Sequence, residues 1–284
     1  MINRDLLKNY KIKIFTRSFS LEMYENAKIL FKDLGFPCVR LVDQMADGYF
    51  YTILKDKNCD IAINIDEDAF VISPQAILSL IEYVIINNIA NAGCPDGGIG
   101  APRIGNPVIT NPFFNIFNLK LIRSINHNQK DIHNFKYLKY LSEMENNFPK
   151  NILTGKYNFK DYDREPYYPF FFWLAYNFKT LYLKSEYHKD KISTILYNHN
   201  NEVVCYHSWF ARFYKIDTTH TQRIKSLLAE ALEKRGMKEK VYTRFDQCHF
   251  LFDFCLRRII RVPMRIFNWP NKWKKWYLRY KLSK

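Results

Sequence analysis

The chain has 284 residues, of which 48% are hydrophobic and 25% charged, and its formal net charge is +15. This length can bury the core of one large domain, or of one domain with an appendage. No run of 18 apolar residues and no apolar signal-peptide core occur, so we expect neither a transmembrane helix nor a secretory signal. The six scattered cysteines form no C-x-x-C pair, so we expect reduced thiols and a cytoplasmic protein.

The first ninety residues alternate between strand and helix patterns. The predicted elements are strand 11–16, helix 20–34, strand 38–43, helix 46–57, strand 60–66 and a helix from Pro74 to about Asn88, capped by Ser73. This alternation predicts an α/β fold with a mixed, mainly parallel sheet flanked by helices.

A glycine-rich loop follows, because five of the nine glycines lie in residues 93–105. Glycines favour close approach of the backbone to a ligand, so we expect acceptor contacts here, although a plain connector is the alternative. The expected acceptor-binding residues are Asp96, Gly97, Gly98 and Arg103.

The second half of the chain contains longer apolar segments. The expected elements are a polar helix over 127–148, a loop over 154–165, a short buried helix within 165–178, strands 179–183 and 201–207, and an amphipathic helix 219–236 ended by Gly236.

Three acidic residues in "NIDEDAF", residues 64–70, follow the third predicted strand. Residues i and i+2 of an extended segment share a side, so Asp66 and Asp68 could face one cation, with Glu67 opposite. Mg²⁺ and Mn²⁺ prefer such carboxylates and keep positions open for phosphates. Polar residues also end the other two strands, and together they could surround a nucleotide at the carboxyl edge of the sheet. These residues are Thr16, Arg17 and Asp43.

Three segments resemble the GT-A glycosyltransferases, which use nucleotide-sugar donors, over roughly residues 10–215. "CDIAINIDEDAFVISPQAI" resembles the D-x-D region, and "YDREPYYPFFFWLAYNFKTLYL" resembles the segment in which an acidic residue opens a helix. "VVCYHSWFARFY" resembles the late strand that ends in a metal-binding histidine. The resemblance implies a GT-A-like catalytic domain in residues 1–245, with a basic, aromatic, amphipathic C-terminal segment in residues 246–284.

The same resemblance implies roles for individual residues. Asp66, Asp68 and His207 would hold Mn²⁺ or Mg²⁺, and Glu165 would be the catalytic base, or would orient the acceptor if stereochemistry is retained. The donor would contact Thr16, Arg17, Asp43, Asp66 and Arg212.

Each of these residues also has a plain structural interpretation. The acids could form a solvated turn, His207 could be a satisfied core histidine, and Glu165 could favour a helix N-terminus. Arg17 and Arg103 could be surface cations, and Arg212 could pair with a neighbouring carboxylate.

The end of the chain is strongly basic. Residues 254–284 contain ten Lys or Arg and no acid, so two thirds of the net charge lies in this segment. Interleaved Trp, Tyr and Ile side chains favour an anionic membrane surface over nucleic acid, which is unlikely to need the aliphatic surface. Packing of the tail on the catalytic domain is the alternative.

Together these features predict a metal-dependent glycosyltransferase of bacterial surface glycan assembly, such as polysaccharide or lipopolysaccharide. It would move a sugar from a nucleotide-sugar donor to a saccharide or lipid-linked acceptor, as a peripheral protein on the inner face of the cytoplasmic membrane. The alternatives are a nucleotidyltransferase of sugar metabolism and a non-catalytic basic protein that binds membrane or nucleic acid.

Overall fold

The computed structural model describes residues 2–42, 44, 48–97, 104–125, 131–132, 135–257 and 259. Its strands form two sheets. In chain order they are β1 Ile12–Ser18, β2 Cys38–Val42, β3 Ile61–Ile65, β4 Ala69–Val71, β5 Asn91–Gly93, β6 Phe114–Asn118, β7 Thr180–Tyr182, β8 Ser185–Tyr187, β9 Thr194–Tyr197 and β10 Val203–His207.

The larger sheet has six strands in the order β2-β1-β3-β6-β5-β7. β1 pairs in parallel with β2 and β3, β5 pairs in parallel with β7, and β6 alone runs antiparallel to its two neighbours. The predicted α/β class, with a mixed and mainly parallel sheet, is confirmed. The carboxyl ends of β1, β2 and β3 lie side by side at one edge.

The smaller sheet is antiparallel, in the order β4-β10-β9-β8. Of its strands the sequence predicts only β10, because β4, β8 and β9 have three or four residues and show little alternation. β4 begins four residues after β3 ends, so the chain passes directly from the large sheet into the small one. The turn between them contains the three acids of the D-x-D segment.

Helices cover both faces of the large sheet. Their bounds are Arg4–Lys8, Leu21–Phe31, Tyr49–Lys55, Pro74–Ile86, Leu119–Ile122, Leu141–Asn147, Tyr168–Asn177, Thr218–Lys234 and 244–257. The predicted cap is present, since the Ser73 side chain accepts a hydrogen bond from the backbone N–H of Ala76. Gly236 has a φ of +60°, as its predicted place after a helix requires.

The polar helix predicted over 127–148 is wrong in extent. A 3₁₀ turn covers Tyr137–Tyr140 and the α-helix only Leu141–Asn147, while residues 126–130 and 133–134 lie outside the described residues. Aromatic packing determines this local shape: Phe135 stacks on Tyr140, and Tyr137 stacks on Phe172. The contact of Tyr137 joins residues distant in sequence, which helical periodicity does not register.

The buried apolar side chains form one cluster on each face of the large sheet. Ile14 and Ile63 point into one cluster, and their neighbours Phe15 and Ala62 point into the other. The helices Leu21–Phe31, Pro74–Ile86 and Thr218–Lys234 cover the first cluster, and the helices Tyr49–Lys55 and Tyr168–Asn177 cover the second. This packing fixes the strand ends that carry the polar side chains.

The helix 244–257 packs on the N-terminal part of the chain through Asp253. The carboxylate of Asp253 accepts hydrogen bonds from the backbone N–H of Leu21 (3.1 Å) and from Arg40 (3.4 Å). The predicted boundary at residue 245 falls within this helix, and residues 258 and 260–284 of the basic segment lie outside the described residues. No helix in the described part of the chain is long and apolar enough to span a bilayer.

Candidate functional site

The acids of the D-x-D segment form a buried tight turn between the two sheets. The backbone N–H of Asp66 donates to the carbonyl of Phe113 (2.9 Å), and the N–H of Ala69 donates back to the carbonyl of Asp66 (3.0 Å). Asp66, Glu67 and Asp68 expose only 3–6% of their surface. A solvated acidic turn is therefore excluded, and each carboxylate must find partners inside the protein.

Strand pairing places His207 beside Asp68. β10 runs antiparallel to β4 with His207 opposite Ala69, and the N–H of Ser208 donates to the carbonyl of Asp68 (2.9 Å). The Nε2 atom of His207 lies 3.4 Å from Oδ2 of Asp68. Burial alone would raise the pKa of Asp68, but the adjacent imidazole lowers it below its ordinary value. The structure thus brings these two predicted metal ligands together.

Asp66 pairs with Arg17 from the end of β1. An Nη atom of Arg17 donates to Oδ2 of Asp66 (2.9 Å), and the guanidinium lies 5.2 Å from the ring centre of Tyr49. Burial raises the pKa of Asp66 to about 6, although Arg17 opposes this shift. Burial would lower the pKa of Arg17, but Asp66 holds it above its ordinary value. Arg17 is therefore a half-buried cation that is paired within the site, and not a free surface charge.

Several buried polar atoms around this turn lack a hydrogen-bond partner within the described part of the chain. They are Oγ1 of Thr16, Nε of Arg17, Oδ1 of Asn64, Oδ1 of Asp66 and Nδ1 of His207. Buried polar groups in folded proteins are nearly always paired, so a cluster of unpaired ones is informative. The cluster offers both donors and acceptors at the carboxyl ends of β1 and β3, where α/β sheets bind ligands.

Glu67 has other partners than its two acidic neighbours and holds the loop after β1. The predicted extended segment is instead a turn at Glu67 and Asp68. Its carboxylate accepts hydrogen bonds from Oγ of Ser18 (2.9 Å) and from the backbone N–H groups of Phe19 (3.0 Å) and Ser20 (2.9 Å). Burial raises the pKa of Glu67 to about 7, and these three donors limit the rise. Glu67 therefore ties the D-x-D turn to the loop that precedes the helix Leu21–Phe31.

The residues expected to bind the acceptor lie in a different environment. Asp96 is fully buried, and its carboxylate accepts hydrogen bonds from Asn111 (2.6 Å) and from the hydroxyls of Tyr167 and Tyr168 (both 3.2 Å). Gly97 has a φ of +93°, and a Cβ there would lie 2.2 Å from the backbone nitrogen of Gly105. This glycine is required by protein packing, while Gly98 and Arg103 lie outside the described residues.

The remaining predicted residues are more dispersed. Glu165 is half-buried just before the helix Tyr168–Asn177, and its carbonyl accepts from the N–H of Tyr168 (3.2 Å). Arg212 is exposed on the 3₁₀ turn Ala211–Phe213 and lines a separate cavity. Asp43 lies outside the described residues. The roles of these three residues stay predictions.

A strained turn that the sequence does not predict lies directly after His207. Trp209 and Phe210 have φ values of 58° and 60°, in the left-handed region that non-glycine residues rarely adopt. Arg223 donates to the carbonyls of Ser208 and Trp209, and the Trp209 ring centre lies 4.4 Å from that of His207. Strained backbone of this kind clusters at active sites, because the surroundings must hold it in place.

Asp68 and His207 fit a hard divalent cation better than Asp66 does. The Asp68 carboxylate is the kind of ligand that Mn²⁺ and Mg²⁺ prefer, and both ions complete their shell with water and phosphate. The imidazole nitrogen of His207, 3.4 Å from that carboxylate, could be a second ligand, although Mg²⁺ favours oxygen over nitrogen. The positive charge of Arg17 on Asp66 disfavours a cation at that carboxylate. Among the described residues no group of three or more acidic, histidine or cysteine side chains is arranged to hold a metal.

No family model and no curated protein matches the sequence. Among solved structures, the chain is similar to a cytidylyltransferase from Leptospira borgpetersenii (13% identity, TM-score 0.34, 82% of this chain and 98% of that one). It is also similar to a glycosyltransferase involved in glycosylation of the major capsid of PBCV-1 (15%, 0.29, 52% and 80%) and to A197 from STIV (10%, 0.35, 69% and 93%). These similarities are too low to carry any residue or activity over to this chain.

Proposed function

We propose that the protein is a metal-dependent glycosyltransferase that moves a sugar from a nucleotide-sugar donor to a saccharide or lipid-linked acceptor. The observation that carries the proposal is the buried turn at the carboxyl ends of β1 and β3, with its unpaired polar atoms. Asp68 and His207 would hold Mn²⁺ or Mg²⁺, which would neutralise charge on the leaving diphosphate. Thr16, Arg17 and Asp66 would bind the donor.

Proton transfer would be the task of Glu165, which precedes the helix Tyr168–Asn177. A base in this position would accept the proton of the acceptor hydroxyl as the bond to the sugar forms. In a reaction that retains stereochemistry, Glu165 would orient the acceptor instead. Replacement of Glu165 by Gln should abolish transfer and spare donor binding, because the amide keeps the shape but cannot take a proton.

The basic segment would hold the enzyme on the inner face of the cytoplasmic membrane. Each Lys or Arg near an anionic leaflet contributes about 1 kcal/mol, and residues 254–284 carry ten of them. Surface glycan assembly at the membrane is the process that this location suits. Replacement of Lys272, Lys274, Lys275 and Arg279 by Gln should reduce binding to anionic vesicles, as added salt should in the parent protein.

A nucleotidyltransferase is the second candidate, because it also needs buried carboxylates beside a nucleotide. Two assays on the same protein separate these functions. In the presence of Mn²⁺, a glycosyltransferase releases a nucleoside diphosphate from a nucleotide sugar, and a chelator stops this release. A nucleotidyltransferase instead releases pyrophosphate from a sugar 1-phosphate and a nucleoside triphosphate. Release of pyrophosphate without release of a nucleoside diphosphate would overturn the glycosyltransferase proposal. Absence of both activities over a broad panel of donors would overturn both candidate functions.

A further inference from the structure

A cavity of about 740 Å³ lies between the helix 244–257 and two loops of the catalytic part. The loop after β1 contributes Phe19, and the segment after β10 contributes the wall from Ala211 to Ile216. Binding pockets for small molecules span about 300–1,000 Å³, so this cavity is large enough for a substrate or for part of one. Of the residues predicted to bind the donor, Arg212 lines this cavity, while Thr16, Arg17 and Asp66 do not.

The walls of the cavity are mainly apolar. They include Phe213, Ile216, Phe250, Leu251 and Phe254. Leu251 exposes 62% of its surface and Ile216 56%, so the apolar lining continues to the outside of the protein. The cavity therefore opens to the solvent with an apolar rim, which a hydrocarbon chain could contact.

One cation of the cavity has no acidic partner. Lys215 pairs with Glu22, and Arg257 pairs with Asp253 (3.0 Å). Among the described residues, Arg212 forms no ion pair, and its guanidinium lies 5.8 Å from the ring centre of Phe213. Arg212 is exposed at the rim of the cavity, so a cation without an acidic partner lies beside apolar walls there. This combination would suit an anion that is joined to a hydrocarbon.

The cavity shares a wall with the candidate active site. Glu67 lines it, and the same Glu67 carboxylate holds Ser18, Phe19 and Ser20 at the end of β1. Its neighbours Asp66 and Asp68 pair with Arg17 and His207 and do not line the cavity. A molecule in the cavity would thus lie directly behind the turn that we assign to the donor.

We propose that this cavity binds a lipid phosphate of the membrane, with its hydrocarbon chain on the apolar walls and its phosphate on Arg212. The proposal rests on the glycosyltransferase function and names the acceptor class as a phosphate-linked lipid. Arg212, which the sequence analysis assigns to the donor, belongs to the acceptor side in this arrangement. Because the unpaired charge of Arg212 is positive, we expect an anionic amphiphile to bind in preference to a neutral lipid or an apolar peptide.

Binding of alkyl probes to the full-length protein tests this proposal. Calorimetry would compare dodecyl phosphate, dodecyl maltoside and inorganic phosphate, with each alkyl compound below its micellar concentration. We expect dodecyl phosphate to bind at least about tenfold more tightly than the maltoside, since a hydrogen bond to a charged group contributes that much, and inorganic phosphate to bind weakest. Equal binding of both alkyl compounds would overturn the proposal and identify a purely apolar occupant.

Matched variants locate the binding. Arg212→Gln should remove the preference for phosphate, whereas Arg244→Gln, an exposed arginine on the helix 244–257 outside the cavity, should keep it. Phe254→Ala should weaken the binding of both alkyl compounds. Phe252→Ala should not, because Phe252 is 64% exposed and does not line the cavity. Ala211→Trp fills the same space if Phe254→Ala fails to fold. Equal effects of lining and control variants would overturn the proposal.

Donor binding separates this inference from the proposed function. The variants Arg244→Gln, Phe252→Ala and Phe254→Ala, where they fold, should still bind nucleoside diphosphate with Mn²⁺ as the parent does. If the diphosphate binds and dodecyl phosphate does not, the lipid inference falls and a soluble saccharide acceptor remains. If dodecyl phosphate binds at Arg212 and no nucleotide binds, the lipid site stands and the transferase proposal falls.

Discussion

Two buried acidic regions differ in how far the protein satisfies them. The carboxylate of Asp96 is fully buried and accepts hydrogen bonds from Asn111, Tyr167 and Tyr168. The turn of Asp66 and Asp68 is nearly as buried, yet Oδ1 of Asp66 and Nδ1 of His207 have no partner in the described part of the chain. The protein itself supplies the hydrogen-bond partners of Asp96, whereas polar atoms of the acidic turn are left to pair with a bound group.

This difference distinguishes a structural carboxylate from a ligand-binding one. A buried polar group without a partner costs about 1–3 kcal/mol, so five such atoms around one turn favour a site that a bound group completes. Other unpaired buried atoms, such as the hydroxyl of Tyr157, are dispersed over the described residues. The strained turn at Trp209 and Phe210, held by Arg223, adds a second cost in the same place. We therefore expect substitutions in the turn to affect chemistry and substitutions around Asp96 to affect folding.

The largest expected effect follows the loss of the Asp68 carboxylate. Asp68→Asn should reduce metal-dependent turnover on the order of 10²- to 10³-fold, because the amide holds a cation poorly and stabilises less developing charge. Thermal unfolding should change little. Asp5→Asn, an exposed carboxylate paired with Lys8, is the matched control and should keep full activity. Full turnover in Asp68→Asn would remove this residue from the mechanism.

The Asp96 region should show the opposite response. Asp96→Ala leaves Asn111 and two tyrosine hydroxyls buried without their acceptor, at about 1–3 kcal/mol for each group left unpaired. We expect the free energy of unfolding, measured with urea, to fall by about 3 kcal/mol. The folded fraction should bind a nucleoside diphosphate as the parent does. A stable Asp96→Ala variant with lost activity would reverse the assignment of the two regions.

Replacement of His207 tests whether the imidazole beside Asp68 is a metal ligand. His207→Ala should lower Mn²⁺ affinity at least about tenfold, since a nitrogen ligand is lost and its support of Asp68 is removed. His199→Ala is the control, because that ring stacks on Tyr83 of the helix Pro74–Ile86. Metal titration at constant nucleotide concentration measures both. Equal loss in the two variants would discard His207 as a ligand.

A smaller effect on stability is expected at Asp190, whose carboxylate, like that of Asp96, accepts hydrogen bonds from the protein. It accepts from Ser193 (backbone N–H 2.7 Å, Oγ 2.6 Å) and from the N–H of Ile192 (2.9 Å). Burial would raise its pKa, but these hydrogen bonds lower the pKa below its ordinary value. The folded protein thus holds this proton more weakly than the unfolded chain, so the stabilisation is present above about pH 4 and is lost as pH falls.

Asp190→Asn should therefore lower stability by about 1–2 kcal/mol at pH 7, as expected for hydrogen bonds to a charged group. The difference from the parent should shrink as the pH falls from 4 toward 3. Urea unfolding at both ends of this range measures it. A difference that stays constant with pH would show that the charge of Asp190 does not stabilise the fold.

The sequence predicts the alternation of strands and helices in the first half and the position of the acidic segment, because local alternation and the helix cap at Ser73 are sufficient there. It does not predict the order of the strands within the sheet. It does not predict the small sheet, whose short strands depend on pairing between distant segments. It also treats Asp66 and Asp96 alike as ligand-binding residues. The three partners of Asp96 come from distant segments and are brought together only by folding, so no local pattern reveals them.

Mn²⁺ binding in the presence of a nucleoside diphosphate tests the central claim most directly. Water-proton relaxation reports bound Mn²⁺ and can be measured on the parent protein, Asp68→Asn and Asp96→Asn with uridine, guanosine and cytidine diphosphates in turn. We expect one diphosphate to promote Mn²⁺ binding in the parent and in folded Asp96→Asn, and not in Asp68→Asn. Equal Mn²⁺ binding in all three proteins, or none in the parent with any diphosphate, would contradict a metal and donor site at the acidic turn.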